Sequence, residues 1–237
     1  ERYNPVYNAI VNLAEQDGLL AQARRADTAL DKGEYWGWMH GMPHAAKDLA
    51  DVKGMITTSG SRIFANRVAT ADSSLVADVR KQGAIFIGKT NTPEFGLGSQ
   101  TYNEVFGATG SAWNPALTAG GSSGGAACSL GTHMLPVADG SDMMGSLRNP
   151  GAFNNVIGFR PSVGRLGGGD PINRGLATAG PMGRNTEDAI RLLLSIAGPV
   201  SGQPNAIQDR LLEASQFTPL NLRDIKIGWM GDFENYL

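Results

Sequence analysis

Three short segments hold residue types able to cleave an acyl bond. They are Gly41-Met42-Pro43-His44-Ala45-Ala46-Lys47-Asp48, Gly120-Gly121-Ser122-Ser123-Gly124-Gly125 and Asp139-Gly140-Ser141-Asp142-Met143-Met144-Gly145-Ser146-Leu147-Arg148. Glycine permits close backbone approach, so several amides can point into one small volume. Serines in such segments, with a lysine in reach, supply a nucleophile, a proton relay and a base. Amide hydrolysis needs all three, together with donors for the oxyanion and an acid for the leaving amine.

The base is the first question. His40, His44 and His133 are the only histidines, and Gly145-Ser146-Leu147 does not complete a Gly-x-Ser-x-Gly elbow. A histidine triad therefore has no support in the pattern, and His44, beside Pro43 and apolar residues, reads as a packed, hydrogen-bonded side chain. Lys47 lies in a mostly apolar stretch, and a desolvated lysine sheds its proton near neutral pH. On spacing alone, a surface ion pair of Lys47 with Asp48 or Asp51 carries equal weight.

The elements that must position these residues are partly readable. Residues 15–30 carry alanine and leucine at helical spacing, with Gly33 as the stop. A second helix fits Ser73 to Gln82, closed by Gly83, and Ala84 to Gly88 reads as a buried strand. Gly124 to Leu130 opens a helix with Ser122 and Ser123 at its start. Met134 to Ala138 reads as a short strand delivering a 139–148 loop. Thr186 to Ala197 is a helix, 200–223 a polar linker, and Ile225 to Trp229 a strand. Between Gly96 and Gly183 glycine is dense and periodicity weak, which predicts functional loops. Helices alternating with apolar strands indicate the α/β class, a mixed β-sheet core surrounded by α-helices.

The three segments together resemble the amidase signature family of serine hydrolases. That family includes bacterial amidases, fatty acid amide hydrolase and the A-type component of glutamyl-tRNA amidotransferase. The resemblance rests on Lys47-Asp48 after Gly41-Met42-Pro43, then the 120–125 segment, then the 139–148 segment, in that order. Asn91-Thr92-Pro93-Glu94-Phe95 and Gly158-Phe159-Arg160-Pro161-Ser162 are further family-like stretches.

The resemblance implies roles. Ser146 would be the nucleophile, Ser122 the relay on a cis peptide bond, and Lys47 the base. Ser123 would support them by hydrogen bonding, the alternative being that Ser122 and Ser123 exchange roles. Backbone amides of Met143, Met144, Gly145 and Ser146 would form the oxyanion hole. Apart from the resemblance, Asp142 and Arg148 flank this loop and read as a buried ion pair bracing it. Many relatives carry Gly-Gly before the nucleophile where this chain has Met144-Gly145, so the Met144 side chain is expected to shape the acyl pocket. The implied reaction is hydrolysis of a small-molecule carboxylic amide without cofactor or metal. The alternatives are an inactive structural fragment and an amidotransferase A-type subunit. Residues 1–237 would form the N-terminal and central part of such a domain, lacking a C-terminal portion.

Composition agrees with a globular enzyme: charged residues are 18% and apolar ones 41%. The formal charge of −2 with no basic block argues against a nucleic-acid surface. No run is long and apolar enough to span a bilayer, which argues against a membrane location. The single Cys128 suits a reducing, cytoplasmic compartment and reads as a small buried helix residue. A homo-oligomer is compatible with all of this. Gly83 to Thr90 matches the Gly-x4-Gly-Lys-Thr phosphate-loop spacing, but its intervening residues are the strand itself, so the motif lacks its required context.

Overall fold

The computed structural model describes residues 2–167, 176–199, 203, 205–208, 221–226 and 228. A short helix α1 (Asn4–Tyr7) and strand β1 (Ile10–Val11) lead into α2 (Gln16–Asp31). Strand β2 (Pro43–Lys47) runs parallel to β3 (Ile85–Thr90), and β1 closes the other edge of β3 antiparallel, giving a mixed sheet in the order β1-β3-β2. Between β2 and β3 lies α3 (Ser74–Lys81), whose Leu75, Val76 and Val79 are buried and whose end is marked by Gly83 at φ +90°.

β4 (Tyr102–Asn103) and β5 (Gly107–Ala108) form a small hairpin before α4 (Gly124–Gly131). A second sheet, order β6-β8-β7, is antiparallel: β6 (Val137–Asp142), β7 (Ile157–Gly158) and β8 (Thr178–Gly183). Helix α5 (Arg148–Asn154) follows β6, and α6 (Thr186–Ile196) follows β8. Asn185 caps α6 by accepting the Asp188 N–H at 2.8 Å, and Ala189, Leu192 and Ile196 repeat at helical spacing on its buried face.

Strand β2 divides two cores. Ala46 packs with Val76, Val79, Phe86 and Leu192 under α3 and α6. Ala45 packs with Ala126, Leu130, Leu147 and Met182 on the α4 side. Side chains alternate along a strand, so the next residue, Lys47, returns to the α4 side, where Ser122 and Ser123 stand.

The α/β class and the four longer helices agree with the sequence reading. The segment from Gly96 to Gly183 departs from it: besides the expected helix and short strand it holds β4, β5, α5, β7 and β8 where loops were expected. β6 starts three residues later than the expected strand and runs on to Asp142, so Asp139, Gly140 and Ser141 are strand residues and not loop residues. The reason is close packing. Gly140 faces Gly180 across the ladder, and a Cβ on either would stand 2.6 Å from Leu147. The two glycines make room for the Leu147 side chain, which is fully buried. Helix α5 carries Pro150 in its first turn, where a missing N–H costs no helical bond. Of the expected Ile225–Trp229 strand, 227 and 229 lie outside the described residues, and Ile225, Lys226 and Gly228 are in no strand. The expected 200–223 linker lies mostly outside them too. No helix among the described residues is long and apolar enough to cross a membrane.

Candidate active site

Lys47 ends β2 and is only 2% exposed. Its Nζ lies 2.8 Å from Ser122 Oγ, 2.9 Å from Ser123 Oγ and 3.0 Å from Ser141 Oγ. The surface ion pair does not form: Asp48 accepts from Thr58 and approaches Lys89, while Asp51 pairs with Arg67. Burial lowers the Lys47 ammonium from its ordinary 10.5 to about 7, against the opposing pull of Asp139 and Asp142. Near neutral pH a large share of Lys47 is therefore an amine with a free lone pair.

The three hydroxyls differ in their own commitments. Ser123 donates its hydroxyl proton to the Ser141 carbonyl, and its Oγ accepts the Ser141 N–H, both at 3.3 Å. Toward Lys47 it can then only accept. A neutral amine has two N–H donors and one lone pair. With the donors satisfied by Ser123 and Ser141, the lone pair is left for the Ser122 hydroxyl. The Gly121–Ser122 peptide is cis, as the resemblance implied.

Ser141 and Asp139 were missed as site residues. The signal was present: both belong to the 139–148 segment, but reading that segment as loop hid the strand alternation that aims Ser141 at Lys47. Asp139 accepts the Lys47 N–H at 3.2 Å through one oxygen and meets His44 Nε2 at 3.0 Å through the other. This joins β6 to β2 and gives one ring nitrogen of His44, a buried side chain set perpendicular to the Phe86 ring, its partner. Ser141→Ala should cut turnover about tenfold, because Lys47 loses one of its two acceptors and its lone pair is no longer aimed. Ser141→Thr, which keeps the hydroxyl, should restore most of it. Steady-state kinetics on the three proteins checks this.

The turn after β6 is organised by Asp142. Its carboxylate accepts the N–H groups of Gly145 at 2.8 Å and Leu147 at 3.1 Å, and two nitrogens of Arg148, each at 3.0 Å. Arg160 adds another contact at 3.0 Å. The brace expected from Asp142 and Arg148 is thus present but only half buried: Asp142 is enclosed, while the Arg148 side chain is 58% exposed. Desolvation by itself would raise the Asp142 carboxyl. The hydrogen bonds from Arg148, Gly145 and Leu147 outweigh it and hold the carboxyl far below the usual range. A depressed folded value means stability that is complete above the unfolded pKa, about 4, and is lost as pH falls toward the folded one. Asp142→Asn should lower Tm by about 5 °C or more at pH 7 and flatten the acid limb of stability. Thermal unfolding between pH 2 and 7 checks both.

Of the four amides expected in the oxyanion hole, that of Gly145 is spent on Asp142. Those of Met143, Met144 and Ser146 meet no acceptor among the described residues. Ser146 is held beside Ser123, whose N–H donates to the Ser146 carbonyl at 3.2 Å.

A cavity of about 610 Å³ opens here, within the range of small-molecule sites. Lys47, Ser122, Ser141, Met143 and Ser146 line it, with Leu49, Leu75, Phe95 and Leu97 as apolar walls. Ser123 and the histidines are not among its lining residues. Met144 is not either: the residue is 88% exposed and does not shape the cavity as expected, whereas Met143 lines it. No group of three or more histidine, cysteine or acidic side chains that could hold a metal occurs among the described residues.

The sequence model of the Amidase family matches residues 1–236. The A-type component of the glutamyl-tRNA(Gln) amidotransferase of Coxiella burnetii is 36% identical over 227 residues, 95% of this chain and 47% of the relative. Among solved structures, a bacterial aryl acylamidase of the amidase signature family superposes with a TM-score of 0.82 at 31% identity, covering 89% of this chain and 44% of that one. The A-type component of the Thermotoga maritima glutamyl-tRNA(Gln) amidotransferase gives 0.74 at 28% identity, with 87% and 43% covered. The chain spans about half the length of the curated relatives it matches.

Proposed function

Because the chain belongs to the Amidase family, we propose that it cleaves carboxylic amides through a Ser146 acyl-enzyme, with Ser122 as proton relay and Lys47 as base. The observation that carries the reading is the 2.8 Å contact of the buried Lys47 Nζ with Ser122 Oγ, in a cavity that Ser146 also lines. Neutral Lys47 takes the Ser122 proton as Ser122 takes that of Ser146. The Ser146 oxygen then attacks the amide carbon. Negative charge gathers on the carbonyl oxygen, where the amides of Met143, Met144 and Ser146 are unspent donors, each worth about 3–4 kcal/mol in such a site. Ser122 returns a proton to the leaving nitrogen, and the C–N bond breaks. Water then attacks the ester along the same relay, releasing the acid and restoring Ser146.

The choice of Ser122 over Ser123 rests on commitment: Ser123 has given its proton to a backbone carbonyl and lies off the cavity. No residue in the scheme requires a cofactor. The substrate is a small-molecule amide, and the lone buried Cys128 suits the cytoplasm. Mass spectrometry after treatment with a fluorophosphonate tests the reading. The adduct should sit on Ser146, and an adduct confined to another serine would contradict it.

A second reading follows from the named relatives: an amidotransferase A-type subunit that releases ammonia from glutamine for a partner. It predicts glutamine-dependent ammonia release that other amides do not match.

A further inference from the structure

Among the non-glycine residues lining the cavity, Phe95 alone has a left-handed backbone, at φ +55°. A bulky side chain is strained there, and such strain persists only where the surroundings enforce it. The enforcing contacts lead back to the end of β2. The carbonyl of Asp48, next to Lys47, accepts the Ser59 N–H at 3.0 Å, and the Ser59 carbonyl accepts the Phe95 N–H at 2.7 Å. Ser61 Oγ donates to Glu94 at 2.7 Å, and the Phe64 ring meets Phe95 edge-on at 6.2 Å. The next residue, Gly96, is also left-handed, at φ +70°. A Cβ on Gly96 would stand 2.7 Å from Leu49 Cδ1 and 3.7 Å from Ser122 Oγ. The strained turn thus sets two apolar side chains, Phe95 and Leu97, with Leu49, on the wall of the cavity that the Ser122 hydroxyl also lines.

We propose that the Phe95–Gly96–Leu97 turn is the leaving-group subsite, and that it accepts the aryl or alkyl amine of a secondary amide. The assignment rests on the Ser146 reading, in which Ser122 protonates the departing nitrogen, so the room beside Ser122 is room for the amine. A site that released only ammonia would need no apolar space next to its proton donor. The reaction is R–CO–NH–R′ with water giving R–COOH and R′–NH2: the C–N bond breaks, and nitrogen gains the proton carried by Ser122. Phe95 and Leu97 act by binding R′ and set specificity.

The experiment compares butyranilide with butyramide on the parent chain, Phe95→Gly and Leu97→Ala, with fluorophosphonate labelling of Ser146 followed in parallel. Leu97 is largely exposed, so its variant keeps the fold, and Phe95→Gly relieves the left-handed backbone, so its Tm should not collapse. The ratio of kcat/KM for the anilide over the primary amide should fall at least fivefold in one or both variants. A smaller fall in both, with Ser146 still labelled, overturns the leaving-group assignment alone. Absence of Ser146 labelling in the parent chain overturns the reading beneath it.

Discussion

Ser146→Ala should abolish acyl-enzyme formation and lower kcat by about 10⁴-fold or more. The expectation rests on an asymmetry among the serines. Ser122, Ser123 and Ser141 all crowd Lys47 Nζ, whereas Ser146 follows a turn whose Met143, Met144 and Ser146 amides have no acceptor among the described residues. In the proposed reaction a hydroxyl attacking from Ser146 would leave its oxyanion beside those unspent donors. Intact-mass spectrometry of the alanine variant after fluorophosphonate treatment should show no adduct. Persistent labelling at Ser122 would transfer the nucleophile to that residue and remove the relay.

Lys47→Ala should cost about 10³-fold or more in turnover, and Lys47→Arg should not recover it, because a guanidinium keeps its proton throughout the working range. The sign of the pH dependence follows from the buried ammonium. With its value lowered to about 7, Lys47 is protonated and inactive as a base at pH 5, and neutral at pH 9. Turnover should rise through pH 7 and level off above it. The profile of kcat/KM against pH checks this, and a chain that kept most of its activity as Lys47→Arg would make Lys47 an electrostatic anchor and not a base.

What the sequence revealed and what it hid divides along physical lines. The helices α2, α3 and α6 carry apolar residues at helical period, and Gly33 and Gly83 mark the ends of α2 and α3. Such signals are local and survive without tertiary context. Strands β2, β6 and β8 are different. Asp139, Gly140, Asp142, Gly180 and Pro181 have poor strand propensity and are held in the ladder by what packs on it, as Leu147 does between Gly140 and Gly180. The same blindness hid Ser141, since its direction depends on being in a strand. Lys47, Ser122 and Ser146 stood out because ordered motifs carried them. Which methionine faces the cavity depends on the backbone of a four-residue turn, which residue types alone do not report.

The thiol of Cys128 has a practical consequence. It is the chain's only cysteine, enclosed within α4, and burial pushes it up to about 12. Thiolate is the species that alkylating reagents capture, so maleimides at neutral pH should find the native protein blank. A cysteine installed at Met144, out in solvent two positions before Ser146, would then take a fluorophore alone. The label would sit beside the turn that carries Ser146, with no native cysteine to engineer away.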